Sequence, residues 1–273
     1  MGRSLELLTG FVTAPSTTFT GLTMAVGNTL TIRNGPPTAM VRLLQAWADN
    51  QGAGNLRIRS PKLHDMAQGI RAHVSASDVA PLLSGGVPQR LYPQDLLVVE
   101  LTGSATGGDI ETASLLVYYD DVPGTEARLV KWSDIAGRIK HLAPVENTLA
   151  LGTAGGYSGE ETIIAEFDNW KANTDYALLG YLVSAECAAV RWRGSDTGNV
   201  GIGGPGNETL RHVTADWFKR LSLAFDLPLI PVFNSANKGA ILIDGAQDEN
   251  GTDVTVTSLF AELEGGAGTP VAR

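Results

Sequence analysis

The chain has 273 residues, a formal net charge of −9, 43% hydrophobic residues and 18% charged residues. This composition predicts a folded protein with room for two domains of roughly 110 to 130 residues. Lysine and arginine are scattered, so there is no basic arm for phosphates and no direct nucleic-acid binding is expected. No apolar run reaches the ~20 residues that cross a bilayer, and the first residues lack a signal-peptide pattern, so cytoplasmic synthesis is expected.

The first elements are predicted to be extended. Residues 1–29 are rich in Thr and Gly with alternating apolar positions, which indicates an N-terminal arm or a first strand. Strands are predicted at 41–47 and 56–59, the second because arginines alternate with apolar residues as in a half-buried strand. A short helix over Asp78–Leu83 and a hairpin over 95–119 follow.

The middle of the chain predicts a connection. Residues 131–139 have the pattern of a short helix, with Ser133 as its N-cap, and a flexible Gly-rich piece follows at 152–159. A second helix is predicted over Asp216–Phe225, capped by Thr214, because Trp217, Leu221 and Phe225 recur every four residues.

The second half of the chain repeats the first in the same order. Segments 176–182, 190–193 and 215–221 resemble 41–47, 56–59 and 77–83. The last hairpin, 239–263, resembles 95–119 at an offset of 144 residues with no gap, which matches Asp109 with Asp253, Ser114 with Ser258 and Leu115 with Leu259. Ordered matches of this kind predict a tandem duplication.

The predicted fold is therefore all-β, with two tandem sandwiches and short inserted helices. The expected divisions are an N-terminal arm or first strand (1–29), a first sandwich (30–121), a connecting segment with a short helix (122–161), a second sandwich (162–264) and a C-terminal tail (265–273).

Motifs for chemistry are weak. His64, His73, His141 and His212 stand in none of the spacings that hold a metal, so no cofactor, metal or enzymatic activity is expected. The single cysteine, Cys187, is expected to be a small buried residue.

Three residues are candidates for a ligand or interface contact. Trp170 is harder to assign to a core than Trp192 and Trp217, which lie in the repeated elements. Asp248 and Asp253 belong to an acidic loop whose oxygens would suit calcium, although its spacing is not that of an EF-hand and a solvated turn is favoured. The candidates are therefore Trp170, Asp248 and Asp253.

Two consecutive β-sandwich halves, each with a short helix before its last hairpin, resemble the double jelly-roll major capsid proteins of tailless icosahedral double-stranded DNA viruses. That family includes adenovirus hexons and several bacteriophage coats. The resemblance covers about residues 30–264 and is one of architecture. It implies two jelly rolls, a trimer that forms a pseudo-hexagonal tile, neighbouring capsid proteins as partners, and a place in the virion after synthesis in a host cytoplasm.

This chain departs from that pattern because it has no basic N-terminal arm. An internal membrane or another protein between coat and genome would accommodate the difference. Two other functions stay open: a decoration, fibre or spike protein with sugar-binding loops, since jelly rolls also serve lectins, and an enzyme on a duplicated β-barrel of the bicupin type, which would hold a metal.

Overall fold

The structure is a computed structural model that describes residues 2–25, 31–63, 68–75, 87–122, 126–152, 155–163, 170–247 and 253–265. Antiparallel strands dominate these ranges, which confirms the all-β prediction. Among the described helices, none combines the length and the apolar character needed to cross a bilayer.

The first sandwich spans residues 2–122. Its sheet I has the strand order β3-β1-β9-β4-β7, and its sheet II has the order β2-β8-β5-β6. The strands are β1 (Gly2–Thr13), β2 (Thr20–Gly21), β3 (Thr23–Met24), β4 (Met40–Asp49), β5 (Gly54–Arg59), β6 (Ile70–Val74), β7 (Gln89–Leu91), β8 (Val98–Thr102) and β9 (Ile110–Val122).

The second sandwich spans residues 129–263. Its sheet III has the order β10-β16-β13-β18-β11, and its sheet IV has the order β12-β17-β14-β15. The elements are β10 (Leu129–Val130), α1 (Trp132–Ile135), β11 (Ile139–Leu149), β12 (Gly156–Thr162), β13 (Asp175–Val183), β14 (Cys187–Arg193), β15 (Ile202–Gly206), α2 (Arg211–Thr214), α3 (Trp217–Phe225), β16 (Ile230–Asn234), β17 (Leu242–Gln247) and β18 (Val254–Leu263).

Strand pairing is nested in both sandwiches. In the first, β1 pairs with β9, β2 with β8, β4 with β7 and β5 with β6. In the second, β11 pairs with β18, β12 with β17, β13 with β16 and β14 with β15. A long hairpin rolled into two facing sheets gives this nesting, which is the connectivity of a jelly roll. The repeat seen in the sequence is therefore a repeat of topology.

The register of the repeat differs from the sequence prediction at the last strand. A bulge in β4 lies opposite Val117 and Leu116 of β9, and the same bulge in β13 lies opposite Phe260 and Leu259 of β18. Leu116 is therefore equivalent to Leu259. The predicted matches of Asp109 with Asp253, Ser114 with Ser258 and Leu115 with Leu259 are wrong by one residue.

The correction matters because a one-residue shift moves a side chain to the opposite face of a strand. The preceding strands keep the predicted offset, since Arg57 faces Glu100 and Arg191 faces Asp244 in the same way. The loop between the two strands of the last hairpin is thus one residue shorter in the second copy.

The expected connecting segment, 122–161, also needs correction. β11 pairs with β18 and β12 pairs with β17, so most of this segment belongs to the second sandwich. The predicted short helix is present as α1 followed by a 3-10 turn at Ala136–Arg138, but its N-cap is Lys131 rather than Ser133. At the N-terminus, β1 lies inside sheet I, so residues 2–13 are a strand and not an arm.

The predicted helix over Asp216–Phe225 corresponds to α3, where Trp217, Phe218 and Leu221 are buried. Thr214 does not cap it; this residue ends α2, and its hydroxyl donates to the Leu210 carbonyl at 3.4 Å. The helix expected over Asp78–Leu83 lies outside the described residues.

Each sandwich buries apolar side chains between its two sheets. In the first sandwich, Leu43 and Leu115 of sheet I meet Leu56 and Leu101 of sheet II. The core of the second sandwich is larger because it continues onto the outer face of sheet I. The two sandwiches are thus joined by an apolar interface.

Candidate interaction surface

The in-chain interface joins the outer face of sheet I to the outer face of sheet IV. Alternate residues of β9 point in opposite directions, so Leu115 and Val117 lie in the first core while Leu116 and Tyr118 join the second. Among the described residues of the first sandwich, six buried side chains contribute to this interface: Leu5, Leu7, Leu44, Trp47, Leu116 and Tyr118.

Contacts across this interface are close. Trp47 is fully buried, its Nε1 donates to the Ala188 carbonyl at 2.9 Å, and its ring meets Trp217 edge-on at 6.1 Å. The backbone N–H of Leu7 donates to the Gly201 carbonyl at 2.8 Å. Glycine at position 203 permits this approach, because a Cβ there would lie 2.6 Å from Leu7 Cδ2.

A charged cluster lies at the edge of this interface, and we name Tyr157, Arg191 and Asp244 cluster II. Arg191 donates to Asp244 through Nε at 2.7 Å and Nη2 at 2.9 Å, which is the bidentate geometry of a strong ion pair. Its guanidinium carbon lies 3.4 Å from the centre of the Tyr157 ring. The Tyr157 hydroxyl is 2.6 Å from Oγ1 of Thr9, which ties the cluster to the first sandwich.

The first sandwich contains the equivalent cluster on the outer face of sheet II, and we name Phe19, Arg57 and Glu100 cluster I. Arg57 Nε donates to Glu100 at 2.7 Å, and its guanidinium lies 3.9 Å from the Phe19 ring centre. Arg59 donates to the same carboxylate at 2.9 and 3.0 Å. The exposed Arg71 lies 5.4 Å from the Phe19 ring.

The hydrogen bonds from Arg59 and Arg57 determine the charge state of Glu100. They outweigh the opposing effect of burial and lower the pKa of this carboxyl from 4.5 to about 2. Cluster I therefore holds a carboxylate between guanidinium groups on the surface of the first sandwich.

The pairing registers establish that the two clusters are equivalent. Arg57 lies opposite Glu100, and Arg191 lies opposite Asp244. Phe19 precedes the residue that pairs with Leu101, one position beyond Glu100. Tyr157 likewise precedes the residue that pairs one position beyond Asp244. The duplication has thus kept an aromatic–arginine–carboxylate arrangement in both sandwiches.

The environments of the two clusters differ. Cluster II adjoins the in-chain interface, where the side chains of Arg191 and Asp244 are 11% and 4% exposed. Cluster I is on the outer face of sheet II, where Arg57 and Glu100 are 15% and 8% exposed and Arg59 reaches 26%. An outer sheet face with two further arginines beside an ion pair is suited to an acidic partner surface.

Among the candidate residues, Trp170 lies in the core of the second sandwich. It is 5% exposed, stacks on Tyr176 at 4.2 Å and meets Phe260 edge-on at 4.9 Å. These two aromatic residues make a core environment that the sequence pattern did not suggest, and they leave little of the Trp170 ring for a ligand. Asp253 is exposed just before β18, at the opposite end of that strand from Phe260, and Asp248 lies outside the described residues.

Lys171, which follows Trp170, contributes to a second charged group. Its Nζ donates to the buried carboxylate of Glu262 at 2.7 Å, and His141 lies 3.2 Å from the other carboxylate oxygen. Burial opposes ionisation, but the hydrogen bond and charge of Lys171, with the charges of His141 and Lys140, lower the pKa of Glu262 overall.

Sequence reasoning did not select either cluster, although signals for both were present. Arginine alternates with apolar residues at positions 57 and 59 and again at 191 and 193. The acids Glu100 and Asp244 coincide at the offset of the repeat. A charge pair kept in both copies on the outer side of a strand would have indicated these sites. In the described residues, no group of three His, Cys, Asp or Glu side chains is arranged to hold a metal ion.

No protein-family model and no curated protein matches this sequence. Among solved structures, the chain is similar to the PBSX exported protein XepA, with 12% identity over 93% of this chain and 86% of that chain and a TM-score of 0.28. It is also similar to the major capsid protein P2 of bacteriophage PM2, with 8% identity over 97% of this chain and 99% of that chain and a TM-score of 0.23.

Proposed function

We propose that this chain is a structural protein of a virus particle, and specifically a coat subunit that assembles with further copies into the shell. The observation that carries the proposal is the packing of two duplicated sandwiches through different faces, sheet I of the first on sheet IV of the second. A contact between unlike faces is heterologous, so it leaves each end of the pair with a face that a further sandwich can occupy. Such contacts build a closed ring when the rotation between neighbours closes.

The resemblance to double jelly-roll coat proteins supports a more specific assembly. In a trimer, three chains would supply six sandwiches, which form a pseudo-hexagonal tile that packs against neighbouring capsid proteins. Permanent interfaces between such subunits would bury roughly 2,000 Å² or more. The net charge of −9 disfavours direct contact with the genome, so an internal membrane or another protein would lie beneath the shell.

The oligomeric state tests this proposal. We expect purified protein to sediment as a trimer or larger assembly over a range of concentrations, and electron microscopy to show six-lobed tiles or shells. A chain that stays monomeric at every concentration, in low and high salt, would contradict the coat function.

A further inference from the structure

We propose that the in-chain interface has a counterpart between chains, in which sheet III of one copy packs on sheet II of a second copy. Glu146 of the first copy then lies against cluster I and Arg71 of the second. The inference rests on the proposed coat function and deepens it, because it names the two faces that meet and the partner, another copy of this chain.

The donor face is identified by comparing β1 with β11. Ser4 pairs with Tyr119 of β9, and His141 pairs with Glu262 of β18. Tyr119 and Glu262 are equivalent, because they lie opposite the same position of β4 and β13. Leu142 is therefore equivalent to Leu5. Leu5 is 0% exposed in the in-chain interface, whereas Leu142 is 56% exposed. A leucine thus stands at both equivalent positions, covered in the first sandwich and exposed in the second.

The charges of the two faces are complementary. By the same register, Glu146 of β11 is equivalent to Thr9 of β1, and Glu146 is exposed. Within the chain, Thr9 contacts Tyr157 of cluster II. The equivalent contact between chains places the Glu146 carboxylate over Phe19, beside the guanidinium groups of Arg57 and Arg71. Opposite charges therefore meet at the position where hydroxyl groups meet inside the chain.

Two substitutions show how the contact between chains differs from the one inside the chain. Pro144 is equivalent to Leu7, so it has no N–H to repeat the backbone hydrogen bond to Gly201. Arg71 is equivalent to Gly203, so the close approach that glycine permits is replaced by a long charged side chain. The contact between chains is made by side chains and depends on charge, so salt weakens it more than the in-chain interface.

Charge reversal tests the pairing in the full-length protein. Glu146→Arg and Arg71→Glu each place like charges together, and we expect each to weaken self-association roughly tenfold by sedimentation at low salt. The double variant Glu146→Arg/Arg71→Glu restores opposite charges in every contact and should recover most of the association. Asp134→Arg is the matched control, because it reverses an exposed carboxylate on α1, which follows the opposite edge strand of sheet III.

The outcomes separate this inference from the function on which it rests. Circular dichroism and thermal melting should match the wild type for all four variants, since the changed residues are exposed. Wild-type protein that assembles while both single variants assemble equally well would overturn the inference and leave the coat function standing. Loss of association without recovery in the double variant would also overturn the pairing. A wild-type protein that never associates would overturn both proposals.

Discussion

The two sandwiches have the same connectivity, but equivalent positions lie in different surroundings. Leu5 and cluster II lie at an interface inside the chain, whereas Leu142 and cluster I lie on outer faces. The inner contact uses a backbone hydrogen bond and a glycine approach, and the outer faces have proline and arginine at those places. Duplication has therefore produced one permanent contact inside the chain and one pair of outer faces suited to a contact between chains that can dissociate.

The largest effect should come from removing the centre of the in-chain interface. Trp47→Ala deletes a fully buried ring, its hydrogen bond to Ala188 and its contact with Trp217. We expect it to lower the unfolding free energy by about 3–5 kcal/mol, measured by urea denaturation. Leu182→Ala, at the equivalent position on half-buried sheet III, should cost only about 1 kcal/mol. Equal costs would show that the two faces are not in different environments.

A matched pair of leucines sharpens the same comparison. Leu5→Ala removes a side chain with no exposure and should cost about 2–4 kcal/mol in urea denaturation. Leu142→Ala changes the equivalent residue, which is 56% exposed, and should stay within about 0.5 kcal/mol of the wild type when the protein is dilute. A large cost for Leu142 in dilute solution would mean that its side chain is already covered within one chain.

The all-β fold and helix α3 could be predicted from the sequence because the spacing of apolar residues indicates each of them. The repeat could be predicted because similar segments recur in the same order. The one-residue offset of β9 and β18 could not. Sheet I is covered on both faces, so residues 113–119 are all buried and the run shows no alternation that would fix a register. The bulges in β4 and β13, which do fix it, are visible only in the pairing.

Strand β11 and the two clusters escaped prediction for a related reason. The outer side of β11 carries Leu142, Pro144 and Glu146, a mixture that hides the buried Ala143 and Val145 on its inner side. Proline is tolerated because β11 is an edge strand. The clusters join residues that are distant in the sequence, so only the pairing registers of the strands bring aromatic ring, arginine and carboxylate together. The core position of Trp170 depends on Tyr176 of β13 and on Phe260 of β18, which is distant in the sequence.

Cluster I should make stability depend on pH in acid. The folded-state pKa of Glu100 is about 2, below its ordinary 4.5, so the ion pair stabilises the protein fully above 4.5 and is lost as pH falls toward 2. Glu100→Gln removes the charge of the carboxylate and should lower the unfolding free energy at neutral pH by about 1–2 kcal/mol. The loss is limited to this range because solvent screens the part-exposed arginines. The difference from wild type should vanish near pH 2. A difference that is constant with pH would assign the loss to packing instead.

The smallest effect isolates the single atom that distinguishes the aromatic residues of the two clusters. Tyr157→Phe keeps the ring over Arg191 and removes the hydroxyl that contacts Thr9 across the in-chain interface. Thr9 keeps its contact with Ser114, so we expect a loss of about 0.5–1.5 kcal/mol in urea denaturation. The converse change, Phe19→Tyr, gives cluster I the hydroxyl of cluster II, while Glu146, the equivalent of Thr9, lies on the outer face of the second sandwich. It should leave the stability of a dilute chain within about 0.5 kcal/mol of wild type. If both changes had the same effect, the hydroxyl would not be what ties cluster II to the first sandwich.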